Sequence, residues 1–139
     1  MLRFADPTAL GLFGLAIACA ALLPISFGVK EAMTPEALKT TAIMCLLFGA
    51  GCQLIAGLMS FANKNMLGGT LMTAFSFNWI LNWWSLGAVA AVLEKTPGAA
   101  LPDHQILLAT DVVSLVLFVV ITYGFGFFSK LLFFFLLDI

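Results

Sequence analysis

Apolar residues run through this chain in long stretches, divided by short polar punctuation. A transmembrane helix needs about 20 mostly apolar residues, and that length sorts the stretches into elements. The first covers residues 9–27, with Pro24 near its far end. The connection 29–39 holds Lys30, Glu31, Glu36 and Lys39. Within it Thr34-Pro35-Glu36 reads as a helix start, with Thr34 as cap and Pro35 at the first helical position. The second stretch covers 40–62, and Asn63-Lys64-Asn65 after it predicts a tight turn. The third covers 66–93, more than a bilayer core requires, so its first turn lies in the interface or breaks at Gly68-Gly69. Residues 94–104, with Pro97, Gly98 and Pro102, read as a loop. A fourth stretch covers 105–128, and a fifth begins after Ser129-Lys130 but has only residues 131–139. The fold class expected is all-α, a polytopic transmembrane helix bundle with four complete spans and a partial fifth, forming a single transmembrane domain over 1–139. The half-length fifth span is either a half-inserted helix or the start of a continuing one. The reading taken is that the chain is the front portion of a longer protein.

Composition strengthens the membrane reading. Hydrophobic residues make up 63% of the chain and charged residues 9%, against roughly 45–50% and 25% in soluble domains. A soluble core of this size has no room for that much apolar surface. In lipid every backbone amide must be satisfied internally, so helices or a closed barrel remain. Barrel strands alternate apolar and polar residues, and these runs do not. A net charge of −1 excludes a basic nucleic-acid footprint. Cys19, Cys45 and Cys52 sit inside apolar runs without a C-x-x-C pair, which suggests no disulfide framework, metal site or cofactor. Asp6-Pro7 stands where a signal peptide would carry a basic region. Lys and Arg divide three against three between the two sides, so the positive-inside rule leaves orientation open.

Polar residues inside the runs are the candidates for chemistry. Asn78, Asn82 and Ser85 recur at helical spacing on one face of the third span, with Phe75 on nearly the same side and Thr70 and Thr73 nearer the start. An amide left facing lipid costs several kcal/mol, so this face meets another helix or a pathway. Asn and Thr donate hydrogen bonds without a fixed charge, which suits a carboxylate or carboxylic acid. The plain alternative is that they join helices. In the second span Gly49, Gln53, Gly57 and Ser60 form a stripe of small residues around one amide, and Gly11, Gly14 and Ala18 do the same in the first. Asp111 lies about two turns into the fourth span. A carboxylate inside the membrane is a candidate proton carrier, unless the helix starts late enough to leave it among the headgroups. His104 beside Asp103 reads as a loop histidine. Trp83 and Trp84 suit interfacial anchoring, and Trp79 suits packing in the bundle. No nucleophile–base set, phosphate loop or redox pair stands out, which argues against an enzyme.

Three motifs in order resemble the acetate uptake transporters, also called succinate–acetate permeases. The opening Asp6-Pro7-Thr8-Ala9-Leu10-Gly11-Leu12 is similar to that family's signature before its first helix. Gly49, Gly51, Gln53 and Ala56-Gly57-Leu58 fall at matching positions in the second helix. Asn65, Gly68, Thr70, Phe75 and Trp79 do so in the third. Together they cover about the first 85 residues. The resemblance implies a homo-oligomer, a hexamer of six-helix protomers, moving acetate, succinate or similar small carboxylates across the plasma (inner) membrane by proton symport or as a channel. It implies an apolar constriction at Leu15, Phe75 and Leu136; the leading reading adds substrate met by Asp6 and Pro7 at the opening signature and by Gln53, Thr70, Asn78 and Asn82 as neutral hydrogen-bond donors. Asp6 stands where the signature has Asn, Ala9 where it has Pro, and Ser60 where it has Glu. Leu15 and Phe75 stand for Phe and Tyr, which makes the constriction more apolar and favours the protonated acid. Two other readings remain: a non-transporting membrane subunit of a larger complex, and a pore for another small neutral solute.

Overall fold

The computed structural model describes residues 5–96 continuously, and six positions beyond them: Val112, Leu115, Val116, Val119, Val120 and Tyr123. The chain divides into two compact units, Met1–Ala100 and Leu101–Ile139. In the second unit the six positions are helical and exposed. In the first unit the described residues are helical with short connections and no strand.

Helix α1 spans Thr8–Ser26, within one residue of the run read from the sequence. Asp6 begins it: its carboxylate accepts from the Thr8 backbone N–H at 3.0 Å and from Thr8 Oγ1 at 2.6 Å. Gly28, at φ 69°, ends it. The Gly28 and Val29 N–H groups turn back to the carbonyls of Ile25 and Pro24, the paired bonds of a Schellman cap that needs a left-handed residue. A 3₁₀ turn, Lys30–Met33, follows.

The second rod comprises α2 (Pro35–Met44), a π-helical segment (Cys45–Cys52) and α3 (Gln53–Ala62). Thr34 caps it by accepting from the Ala37 N–H at 3.3 Å, and Pro35 occupies the first turn. The helix therefore starts where the Thr34-Pro35-Glu36 signal placed it, five residues ahead of the apolar run at 40, and Glu36 and Lys39 lie exposed in its first turns. The rod ends at another Schellman cap, with Lys64 in the left-handed region at φ 62° and the Lys64 and Asn65 N–H groups bonded to Phe61 and Ser60 carbonyls. That is the tight turn predicted at 63–65.

Helix α4 spans Met66–Lys95, about 45 Å at 1.5 Å per residue. It does not break at Gly68-Gly69. The Asn65 side chain caps it by accepting from the Gly68 N–H at 2.9 Å, and Gly69 is buried against the Phe61 ring. Both glycines serve packing and not a kink. Among the described residues two rods are long and apolar enough to cross a membrane, Thr8–Ser26 and Pro35–Ala62. Helix α4 has the length, but its Asn, Thr and Ser residues lower its hydropathy. The fourth and fifth expected spans lie outside the described residues, apart from the six positions above.

Small residues set the packing. Gly11 of α1 lies against Met72 and Ala56, and Gly14 lies against Phe48 and Cys52. Gly49 lies against the Trp79 indole, and Gly57 against Thr73 and Gly69. Thus α1 and α4 run parallel, and the second rod runs antiparallel to both. Ala18, Cys45, Ala50 and Trp79 form the buried centre, with Leu15, Leu22, Leu46, Ile80 and Leu86 packed around it. The far end of the pair is tied by an exposed ion pair, Lys39 Nζ to Glu94 Oε1 at 2.5 Å.

Candidate functional site

The helix register brings three of the sequence candidates to one level. Gly11 meets Met72, and Ala18 shares a cluster with Trp79, so Leu15 stands level with Phe75 and Ser76. On the other side Gly49 meets Trp79 and Gly57 meets Thr73. Gln53, midway between those glycines, stands at the same level. Leu15 is half-buried, while Phe75 is buried at 7% exposure and Gln53 at 1%. The expected constriction pair and the amide of the second span thus stand at one level along the three packed helices.

Local structure explains the position of Gln53. The π segment ends at Cys52, one residue before it. A π turn is wider than an α turn and is often found at functional positions. Here it coincides with a close contact to α4, where a Cβ on Gly49 would fall 2.5 Å from Trp79 Cγ. Gly49 and Ala50 supply the small residues this approach needs.

Three buried polar atoms on this seam have no hydrogen-bond partner among the described residues: Gln53 Oε1, Thr73 Oγ1 and Trp79 Nε1. Buried polar groups are satisfied in the great majority of cases, so three along one seam mark it chemically. No charged residue lies within 8–26, 40–62 or 66–93. The seam is therefore neutral, able to donate and accept hydrogen bonds, and without a fixed charge.

The other candidates are placed differently. Thr70 is exposed and its hydroxyl donates to the Met66 carbonyl of its own helix at 2.8 Å. Asn78 and Asn82 are half-buried beside the seam. Asn82 Nδ2 donates to the Asn78 carbonyl and Ser85 Oγ to the Asn82 carbonyl, each at 3.1 Å. Ser76, fully buried, donates to the Thr73 carbonyl at 2.8 Å. These bonds run within α4 and not between helices. Pro7 is buried and its carbonyl accepts from Leu10 and Gly11. Asp6 is exposed, and its bonds from the Thr8 hydroxyl and then the Thr8 N–H hold its carboxyl below the usual carboxylate range. Its charge also meets the positive end of α1. Leu136, Asp111 and His104 lie outside the described residues. Among those described, no group of side chains is arranged to hold a metal.

Sequence reasoning assigned Trp79 to packing and gave Thr73 no role of its own. Both face small residues of the second rod, Thr73 against Gly57 and Trp79 against Gly49, a pairing that the spacing within either helix does not signal. Nothing in the sequence marked the π segment.

A family model described as the GPR1/FUN34/yaaH family matches residues 2–137. No curated protein and no solved structure gives a significant match.

Proposed function

The chain belongs to the GPR1/FUN34/yaaH family, the acetate uptake transporters and not a family of enzymes, and we infer that it passes small carboxylates such as acetate across a membrane. The match over residues 2–137 carries this reading. The seam at Leu15, Gln53 and Phe75 supports it locally. Transport needs binding weak enough to release, and a neutral seam without Lys or Arg suits that requirement. In this reading Leu15 and Phe75 form the described part of an apolar gate, to which Leu136 is proposed to add. Gln53 and the half-buried Asn78 and Asn82 offer hydrogen bonds beside it. A proton link through Asp111, passage of succinate and assembly as a homo-oligomer belong to the same proposal.

The test is flux of labelled acetate into liposomes holding the full chain. Uptake is expected to rise as external pH falls and to change with Phe75→Ala and Asn78→Ala. Equal flux in the parent and both variants would remove the assigned pathway.

A further inference from the structure

We propose that Gln53 and Trp79 form a recognition site for a small neutral molecule carrying one hydrogen-bond donor and one acceptor, so that the site takes protonated carboxylic acids and, equally, short primary amides. The proposal rests on the transport reading above and adds two things to it: the indole as a binding group, and amides as ligands.

Each orphaned atom defines the partner it lacks. Gln53 Oε1 only accepts, so it is satisfied only by a donor. Trp79 Nε1–H only donates, so it is satisfied only by an acceptor. Both residues are more than nine-tenths buried, at 1% and 5% exposure, and both atoms lack a partner among the described residues. A carboxylate has acceptors alone and leaves Gln53 Oε1 opposed by negative charge. A protonated acid has an O–H donor and a C=O acceptor on one carbon. A primary amide has the same pair in the same shape and does not titrate.

The register allows one small molecule to meet both groups. Gln53 stands level with Phe75 and Ser76, three to four residues from Trp79 along α4, about 5 Å of rise. Thr73 Oγ1 lies a similar distance on the other side of Gln53. Its hydroxyl both donates and accepts, so it serves either ligand and discriminates neither.

Charge points the same way. Along the rods that form this seam, α1 has Cys19, exposed, as its only titratable group, the second rod has Cys45 and Cys52 within 40–62, and α4 has none within 66–93. The described charges flank the rods: Asp6 precedes α1, Lys64 sits in the turn after the second rod, and Lys39 and Glu94 pair with each other at the opposite end. A bare anion would be buried with no cation, which is strongly unfavourable.

The experiment uses liposomes holding the full chain and labelled acetate as the measured flux, with two unlabelled competitors. Acetamide is neutral at every pH used. Methanesulfonate is an anion throughout. Acetamide is expected to compete at every pH and methanesulfonate at none. Trp79→Phe, which keeps a ring over Gly49 and removes the donor, is expected to weaken acetamide competition roughly threefold to tenfold, the loss of one hydrogen bond. Competition by methanesulfonate without acetamide would show an anion site and overturn the proposal. Failure of both to compete while acetate still moves would leave water as the seam's occupant and overturn it also. Unchanged acetamide competition in Trp79→Phe would remove the indole from the site. Absence of acetate flux at any pH would instead refute the transport reading on which the proposal rests.

Discussion

The contact between Gly49 and Trp79 yields a prediction with a size. Replacing Gly49 by Ala adds one methyl group. That carbon would fall 2.5 Å from Trp79 Cγ, 2.6 Å from Cδ2 and 3.0 Å from Cβ. These atoms are the root of the side chain, fixed by α4 itself, so the indole cannot swing away from its base. Overpacking of a tight core costs typically about 1–3 kcal/mol. Gly51, two residues on in the same π segment, supplies the control: a Cβ there meets only the Leu46 carbonyl, at 3.6 Å, an ordinary contact. Gly49→Ala is expected to lower stability by about 1–3 kcal/mol, and Gly51→Ala to leave it unchanged or raise it by up to about 1 kcal/mol, the helical preference for Ala over Gly. Reversible unfolding in mixed micelles, read by tryptophan fluorescence, measures both. A double-mutant cycle with Trp79→Ala sharpens the test. If the clash is the cause, the double variant loses about 0.5–3 kcal/mol less than the sum of the single losses. Equal stabilities of Gly49→Ala and Gly51→Ala, or simple additivity in the cycle, would refute the packing account.

Other predictions follow from single groups. Asp6 should titrate below its ordinary range in a carbon-13 NMR experiment on the full chain in micelles, and Thr8→Val should raise its pKa. Since its folded pKa is depressed, its contribution to stability is present above the ordinary carboxylate pKa of about 3.9 and disappears as pH falls through the lower, folded value. Thr34→Ala removes the cap of the second rod and should cost about 1 kcal/mol in the same unfolding assay, with Thr34→Ser close to neutral. Lys39 and Glu94 are about half exposed, so their double-mutant cycle should give a coupling of only about 0.2–1 kcal/mol, shrinking as salt is added.

What the sequence disclosed, and what it hid, divides along physical lines. Helices read from long apolar runs were found within a residue or two at α1, and the caps at Thr34 and 63–65 were found because capping is local chemistry. The second rod starts at Pro35, as its cap signal indicated, five residues ahead of the apolar run, since hydropathy marks where lipid begins and a cap marks where helix begins. Gly68-Gly69 looked like a break from composition alone. In the structure Gly68 lies beneath the Asn65 cap and Gly69 beneath Phe61, a contact with a residue eight positions earlier. The stripe of Gly49, Gln53, Gly57 and Ser60 was legible from spacing, and all four are buried. The hydrogen bonds of Asn82 and Ser85 were not legible, because one face of a helix offers a polar side chain its own carbonyls as readily as a neighbour's. The role of Trp79 required register between two helices, which periodicity within one helix does not contain.

The three-residue turn at 63–65 has a consequence for how the chain enters a membrane. Gln53 is buried where α1 and α4 both pack on the second rod, α1 against Cys52 and Ala56 and α4 against Gly49 and Gly57. A second rod placed in hydrocarbon alone would expose that amide at a cost of several kcal/mol. With only Asn63, Lys64 and Asn65 between Ala62 and Met66, α4 arrives directly behind it, so the amide is shielded as the pair forms. The two rods should therefore partition as one hairpin, not as two successive insertions. Lengthening the turn with a flexible Gly-Ser insert after Lys64 should lower the yield of membrane-integrated chain, and Gln53→Leu should restore it. Unchanged yield with the insert would show that the second rod tolerates lipid on its own.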